Sequence, residues 1–201
     1  MVRKQSSKEL IKTSMYELLS SKSISQVSVR DICKNCGITT RAFYNNYIDK
    51  YDVITQMYIA EMKPYIGSNL EEWCERRSEV LVDSREFFRN CIGYNGQNNL
   101  TDVVTYLDKE KYAMHIRPGL EDDPEAYRLV KKGISFFIYG NIGFLKENYN
   151  NSSDNEFADL SSNKNTWELM RIWIPQIVND NLCMEPCRKP SAALLKMLEN
   201  V

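Results

Sequence analysis

The chain has 201 residues, of which 43% are hydrophobic and 26% charged, with a formal net charge of −1. This balance describes an ordinary soluble protein with room for a sizeable core. It excludes a membrane span, because no apolar run approaches the roughly 18 residues one needs.

The opening MVRKQSSKELIK lacks the apolar stretch of a secretory leader, so a cytoplasmic location is expected. Six cysteines are too sparse for a disulfide scaffold, and the single histidine, His115, argues against a His-based triad or a His-rich metal site. The net charge conceals an asymmetry. Residues 1–50 carry nine Lys/Arg against four Asp/Glu, and the rest carry 17 against 23. A basic front end on an acidic body suits a polyanionic partner, although a solvated cluster of charge has the same composition.

In chain order, Ser6-x-x-Glu9 is a capping box opening a first helix, in which Leu10/Ile11, Ser14/Met15 and Leu18/Leu19 form one stripe as far as Ser21. After a polar loop, Lys22–Val27, Ser28 caps a second helix with Asp31 as its box partner. Val29, Ile32, Cys33 and Cys36 then recur at i, i+3, i+4 and i+7. Gly37 stands where a terminating glycine belongs. Thr39 caps a third helix, with Ile38 and Phe43 as a hydrophobic staple, and Asp49 caps a fourth running to Pro64, with Ile48 and Val53 in the same relation.

Further helices are predicted near 68–82, 84–93 and 100–117, then from 124 to 149 after the break at Pro118-Gly119. One more is expected over 164–180, kinked at Pro175, and a short one at 191–200. The Asn/Ser-rich stretch 150–163 reads as a loop. The expected fold class is all-α. A helix-turn-helix module occupies 1–50, a connecting helix 50–63, and a helical bundle 64–201.

The connection Gly37-Ile38-Thr39 is short enough to force a steep crossing of the second and third helices. On the third helix, Ala42, Phe43 and Tyr47 point inward. Thr40, Arg41, Tyr44 and Asn45 point outward, with Thr39 and Asn46 beside them. Arg suits guanine, Asn suits adenine, and Thr fits against a thymine methyl, so this face has the chemistry of a major-groove helix. Tyr44 and Lys50 are candidates for phosphates on either side, and the start of the second helix at Ser28 for another. Arg30 is a candidate for a base edge or a phosphate.

The segment VRDICKNCGITTRAFYNNYIDKYDVI resembles the helix-turn-helix of the TetR family of bacterial transcriptional regulators, through Val29, Ile32, Gly37, Ile38, Phe43, Tyr44, Tyr47, Lys50 and Ile54 in register. FYNNYIDKYDVI is especially similar to regulators of the dihydroxyacetone-kinase-activator type. Cys33 and Cys36 replace two family alanines, Thr39 a serine, and Asn46 the usual His or Tyr.

The resemblance implies a probe of double-stranded DNA that acts as a homodimer, through helices at about 124–149 and 164–180, on a near-palindromic operator. Val130, Ile134, Phe137, Ile138 and Leu145 with Gly133, Gly140 and Gly143 would serve on the first helix, and Trp167, Met170, Ile174 and Ile177 on the second. It also implies repression or activation under the control of a small-molecule effector or a protein partner. Candidate effector-lining residues are Trp73, Phe87, Phe88, Tyr106, Tyr112, His115 and Phe136, although bundle core is the ordinary reading of each taken singly.

No Gly-rich phosphate loop, HExxH or nucleophile with an adjacent base occurs, so no enzyme, metal or cofactor is expected. The competing class is an all-α interaction adaptor or coactivator without an effector pocket. Cys33-x-x-Cys36 reads as small core residues, since zinc would need two more ligands. Cys183-x3-Cys187 reads as incidental thiols.

Overall fold

The computed structural model describes residues 5–94, 96–151, 172, 174–199 and 201. Regular structure among them is helical: α1 (Ser7–Leu19), α2 (Val29–Cys36), α3 (Thr40–Tyr44), α4 (Lys50–Met62), α5 (Leu70–Asp83), α6 (Arg85–Ile92), α7 (Leu100–His115), α8 (Pro124–Asn151), α9 (Gln176–Asn179) and α10 (Ala192–Glu199). Short 3₁₀ turns lie at Ile24–Gln26, Lys63–Tyr65 and Leu120–Asp122. One isolated bridge pairs Ile116 with Leu182. The chain divides into two units, 1–59 with 84–103, and 60–83 with 104–201.

In the first unit the capping predictions hold in atomic detail. The Glu9 amide donates to Ser6 Oγ and the Ser6 amide to Glu9 Oε2. Gly37 ends α2 at φ 69°, ψ 30°, a left-handed geometry that costs any L-residue conformational energy. The stripe of α1 is buried at Ile11, Ser14, Met15 and Leu19 against Ile32 and Cys33 of α2 and Phe43 and Tyr47 around α3. The Ser14 hydroxyl donates 3.0 Å to the Ile32 carbonyl, which pins α1 to α2.

Helix α6 belongs to this unit: Phe87 stacks on Tyr16 of α1, Phe88 meets Tyr58 edge-on, and Asn90 donates to the Leu19 carbonyl. The loop 22–27 is more structured than its polarity suggests, because Ile24 and Val27 are buried. The Ile48–Val53 staple does not form. Val53 is buried, but Ile48 is 82% exposed, since Asp52 Oδ2 accepts the Ile48 amide and Tyr47 fills the inward position.

The second unit is built on α5, α7 and α8. Trp73, Leu107, Tyr112, Val130, Ile138, Tyr149 and Val178 are among its buried side chains, and Tyr149 donates from its hydroxyl to the Leu81 carbonyl. At Gly133, α8 and the Val178 side chain of α9 come so close that a Cβ would meet Val178 Cγ2 at 2.5 Å. At Gly140 and Gly143 nothing of the chain lies within 4 Å of that position.

At Pro175, the expected kink in a helix over 164–180, the backbone is extended at ψ 141° and α9 begins at the next residue. Residues 164–171 and 173, and with them Trp167 and Met170, lie outside the described residues, as does most of the loop 150–163.

Candidate nucleic-acid interface

Helix α3 has only five residues, and two buried anchors orient it. Phe43 is wholly buried and Tyr47 nearly so, with their rings 5.9 Å apart. A helix rotates about 100° per residue, so fixing Phe43 inward sends Thr40, Arg41, Tyr44 and Asn45 outward. All four are exposed, Tyr44 at 59%, with its ring edge-on to Phe43. Arg30, in the first turn of α2, is exposed as well.

The other candidates have internal commitments. Ser28 accepts the Asp31 amide at 3.2 Å, while its own hydroxyl and amide donate to Asp31 Oδ2 at 2.6 and 2.9 Å. These bonds hold the Asp31 carboxyl below its ordinary range. What remains at this helix end is the Val29 and Arg30 amides, which have no intrahelical acceptor. Thr39 Oγ1 accepts the Ala42 amide at 3.1 Å. Asn46 turns back to donate 2.7 Å to the Ala42 carbonyl.

Lys50 is the largest difference from expectation. Its ammonium donates to the Ile24 and Val27 carbonyls, each at 2.7 Å, tying the start of α4 to the turn that leads into α2. Burial pulls its pKa down, against the pull of Asp49. The structure thus gathers a glycine-ended α2, an outward α3 and a lysine strut behind them.

No family model matches the chain, and no curated protein does. Solved structures do. In fold, the chain is similar to transcription regulators. One is DhaS, a dihydroxyacetone kinase operon activator, at 12% identity over 88% of this chain and 98% of that one, with a TM-score of 0.55. Another is native NalD of Pseudomonas aeruginosa, the secondary repressor of the MexAB-OprM multidrug efflux pump, at 14% identity over 85% and 97%, with a TM-score of 0.53. At such identities the likeness concerns the fold.

The seven effector candidates are divided between the two units. Phe87 and Phe88 are core of the first unit, beside Tyr16 and Tyr58. Phe136 is 79% exposed; its neighbour Phe137 is the residue that packs on Tyr112. Tyr106 is half-buried. Trp73, Tyr112 and His115 do lie in the core of the second unit.

Beside them are charges that sequence reading missed. Arg77 Nε sits 3.1 Å from Asp108 Oδ2, and Trp73 Nε1 donates 3.0 Å to Asp108 Oδ1. Burial pushes the Asp108 carboxyl up, and Arg77 and the indole pull it back. Lys111, fully buried, donates to the Tyr65, Ile66 and Ser68 carbonyls. The signal was present: Asp108, Lys111, Tyr112 and His115 fall at i, i+3, i+4 and i+7 on one face of α7.

The cysteines of the C-x-x-C are free thiols, Cys33 buried and Cys36 half-buried, with Cys36 donating 3.1 Å to the Ile32 carbonyl. No group of three or more His, Cys, Asp or Glu that could hold a metal occurs among the described residues, and no helix among them is long and apolar enough to cross a membrane.

Proposed function

We propose that the chain is a sequence-specific, DNA-binding transcriptional regulator of the TetR type that acts in the cytoplasm as a homodimer on a near-palindromic operator. One observation carries the reading. The exposed Thr40, Arg41, Tyr44 and Asn45 form an outward face on a short helix that Phe43, Tyr47 and a left-handed Gly37 hold rigidly. Arg41 and Asn45 would read base edges, Thr40 a thymine methyl, and Tyr44 and Arg30 the flanking phosphates. Ser28, Thr39, Asn46 and Lys50 would position these groups through the internal bonds described above, with the Val29 and Arg30 amides open to a phosphate.

The dimer would form through α8, which leaves Leu129, Phe136 and Phe144 exposed on the side of the open Gly140 and Gly143. Repression is the mode expected where such an operator overlaps a promoter, because the bound dimer would cover that DNA. The module 1–50, with 50–63 connecting, would bind DNA, and 64–201 would receive an effector or protein partner and dimerise. Trp73, Tyr112 and His115 are the effector candidates that share one core. The fold likeness to an activator and a repressor supports the reading at the level of architecture.

Gel shifts of purified protein on fragments of its source genome test it. The expected result is selection of a few fragments, with affinity falling steeply with salt and Arg41→Ala abolishing selection. Failure to select any fragment, or an Arg41→Ala variant that binds as well as the parent, overturns it in favour of an interaction adaptor.

A further inference from the structure

The segment 182–188 runs across the C-terminal end of α7 and is fastened there at nearly every residue. Leu182 bridges Ile116, the Cys183 amide donates 2.8 Å to the His115 carbonyl, and the Met184 carbonyl accepts the Leu70 amide at 3.2 Å. The chain then reverses through Glu185-Pro186. The Cys187 and Arg188 amides both return to the Met114 carbonyl, at 2.9 and 3.0 Å.

Cys183 and Cys187 are therefore held on carbonyls of adjacent residues, Met114 and His115. The Cys187 thiol also donates to the Ile116 carbonyl at 3.2 Å and to the Met114 carbonyl at 3.5 Å. Both thiols are free, Cys183 half-buried and Cys187 exposed, whereas Cys33, Cys74 and Cys91 are buried. The reversal at Glu185-Pro186 thus returns both cysteines to carbonyls at one end of α7, so the backbone that would carry a disulfide is already turned back on itself.

We propose that Cys183 and Cys187 form a reversible dithiol–disulfide site, oxidised by exchange with a low-molecular-weight disulfide. The exposed Cys187 thiolate attacks one sulfur of the small disulfide, forming a mixed disulfide and releasing one small thiolate. The Cys183 thiolate then attacks the Cys187 sulfur, closing the protein disulfide and expelling the second small thiolate. Two protein thiols are oxidised, one small disulfide is reduced to two thiols, and the two protons lost by the cysteines go to the released thiolates. The second step is intramolecular, between cysteines on one fastened turn, which favours closure over a lasting adduct. Burial and the neighbouring thiol raise the Cys187 pKa, so exchange quickens as the solution becomes more alkaline.

The test equilibrates the full-length protein in glutathione and glutathione disulfide over a range of ratios, followed by acid quench, alkylation after unfolding, and peptide mapping. Trypsin yields both cysteines in one peptide, residues 172–188. The expected result is joint loss of both alkyl adducts from that peptide as the disulfide share rises, reversed by excess glutathione, with the buried cysteines still alkylated. Cys183→Ser should instead leave Cys187 as a lasting glutathione adduct. Retention of both alkyl adducts at every ratio, a glutathione adduct on the unsubstituted protein, or pairing of either cysteine elsewhere would overturn the proposal.

Discussion

His115 is wholly buried, and its Nδ1 lies 2.9 Å from the Cys183 carbonyl, which can only accept, so Nδ1 carries the proton. Nε2 is then a bare acceptor, buried with no hydrogen-bond partner. Charging the ring would place a second N–H there without an acceptor, in a core that also holds the Lys111 ammonium. Burial chiefly, and Lys111 in addition, push the histidine from 6.5 down to about 4, against the pull of the Cys183 and Met184 carbonyls. The unfolded chain takes up this proton near pH 6.5, and the folded chain only near 4. Stability is therefore complete above the first value, declines as pH falls between them, and levels off below the second.

At about 1.4 kcal/mol for each decade, the full loss from this one group is about 3 kcal/mol. That is a large part of a typical stability of roughly 5–15 kcal/mol. His115→Asn removes the titration while offering Nδ2 as a donor to Cys183. Urea unfolding of both proteins at several pH values between 7.5 and 4 measures the difference, in which the carboxylates common to both cancel. The parent should lose about 3 kcal/mol relative to the variant over that interval. Parallel curves would refute the reasoning.

Gly37→Ala should cost about 1 kcal/mol in urea unfolding: nothing lies within 4 Å of the added Cβ, so the left-handed backbone alone sets the penalty. Lys50→Met removes the donor to two carbonyls and should destabilise by about 2 kcal/mol. Any loss of DNA affinity it causes should leave the slope of log affinity against log salt unchanged, whereas a phosphate-contacting lysine would lower that slope by about 1. Phe136→Ser should raise the dimer dissociation constant in sedimentation without lowering monomer stability, since that ring is exposed; a parallel loss of monomer stability would show the side chain to be packed within the chain.

Features set by bonds between near neighbours in sequence were legible in advance. Ser6/Glu9 and Ser28/Asp31 satisfy each other across three residues, and Gly37 answers a backbone demand at one position. Where a competing partner enters, near or far in sequence, residue spacing alone did not show it. Phe136 and Phe137 are adjacent aromatics on a helix, about 100° apart, and either could have faced Tyr112 until α7 was placed. Lys50 counted as a cation in the sequence, but its acceptors lie more than 20 residues earlier. Ile48 and Val53 have staple spacing, yet Asp52 takes the Ile48 amide and turns the side chain out. On α7 the polar stripe was visible, but the Arg77 partner of Asp108 comes from α5.

The division of labour at the front of the chain follows from those commitments. A polar group already bonded inside the fold must break that bond to reach DNA, which cancels much of the gain. Ser28, Thr39, Asn46 and Lys50 are in that position. Arg30, Thr40, Arg41, Tyr44 and Asn45 are exposed. Substitutions in the first set act through the orientation of α3, so they should weaken operator and random DNA together and shift the melting temperature. Those at Thr40, Arg41 and Asn45 should lower the ratio of operator to random binding and leave melting unchanged. The same polar composition thus separates into internally bonded groups and an exposed face, the one proposed to read DNA, and the cysteines of α2 fall with the former, packing that helix's buried stripe next to the turn from which α3 projects.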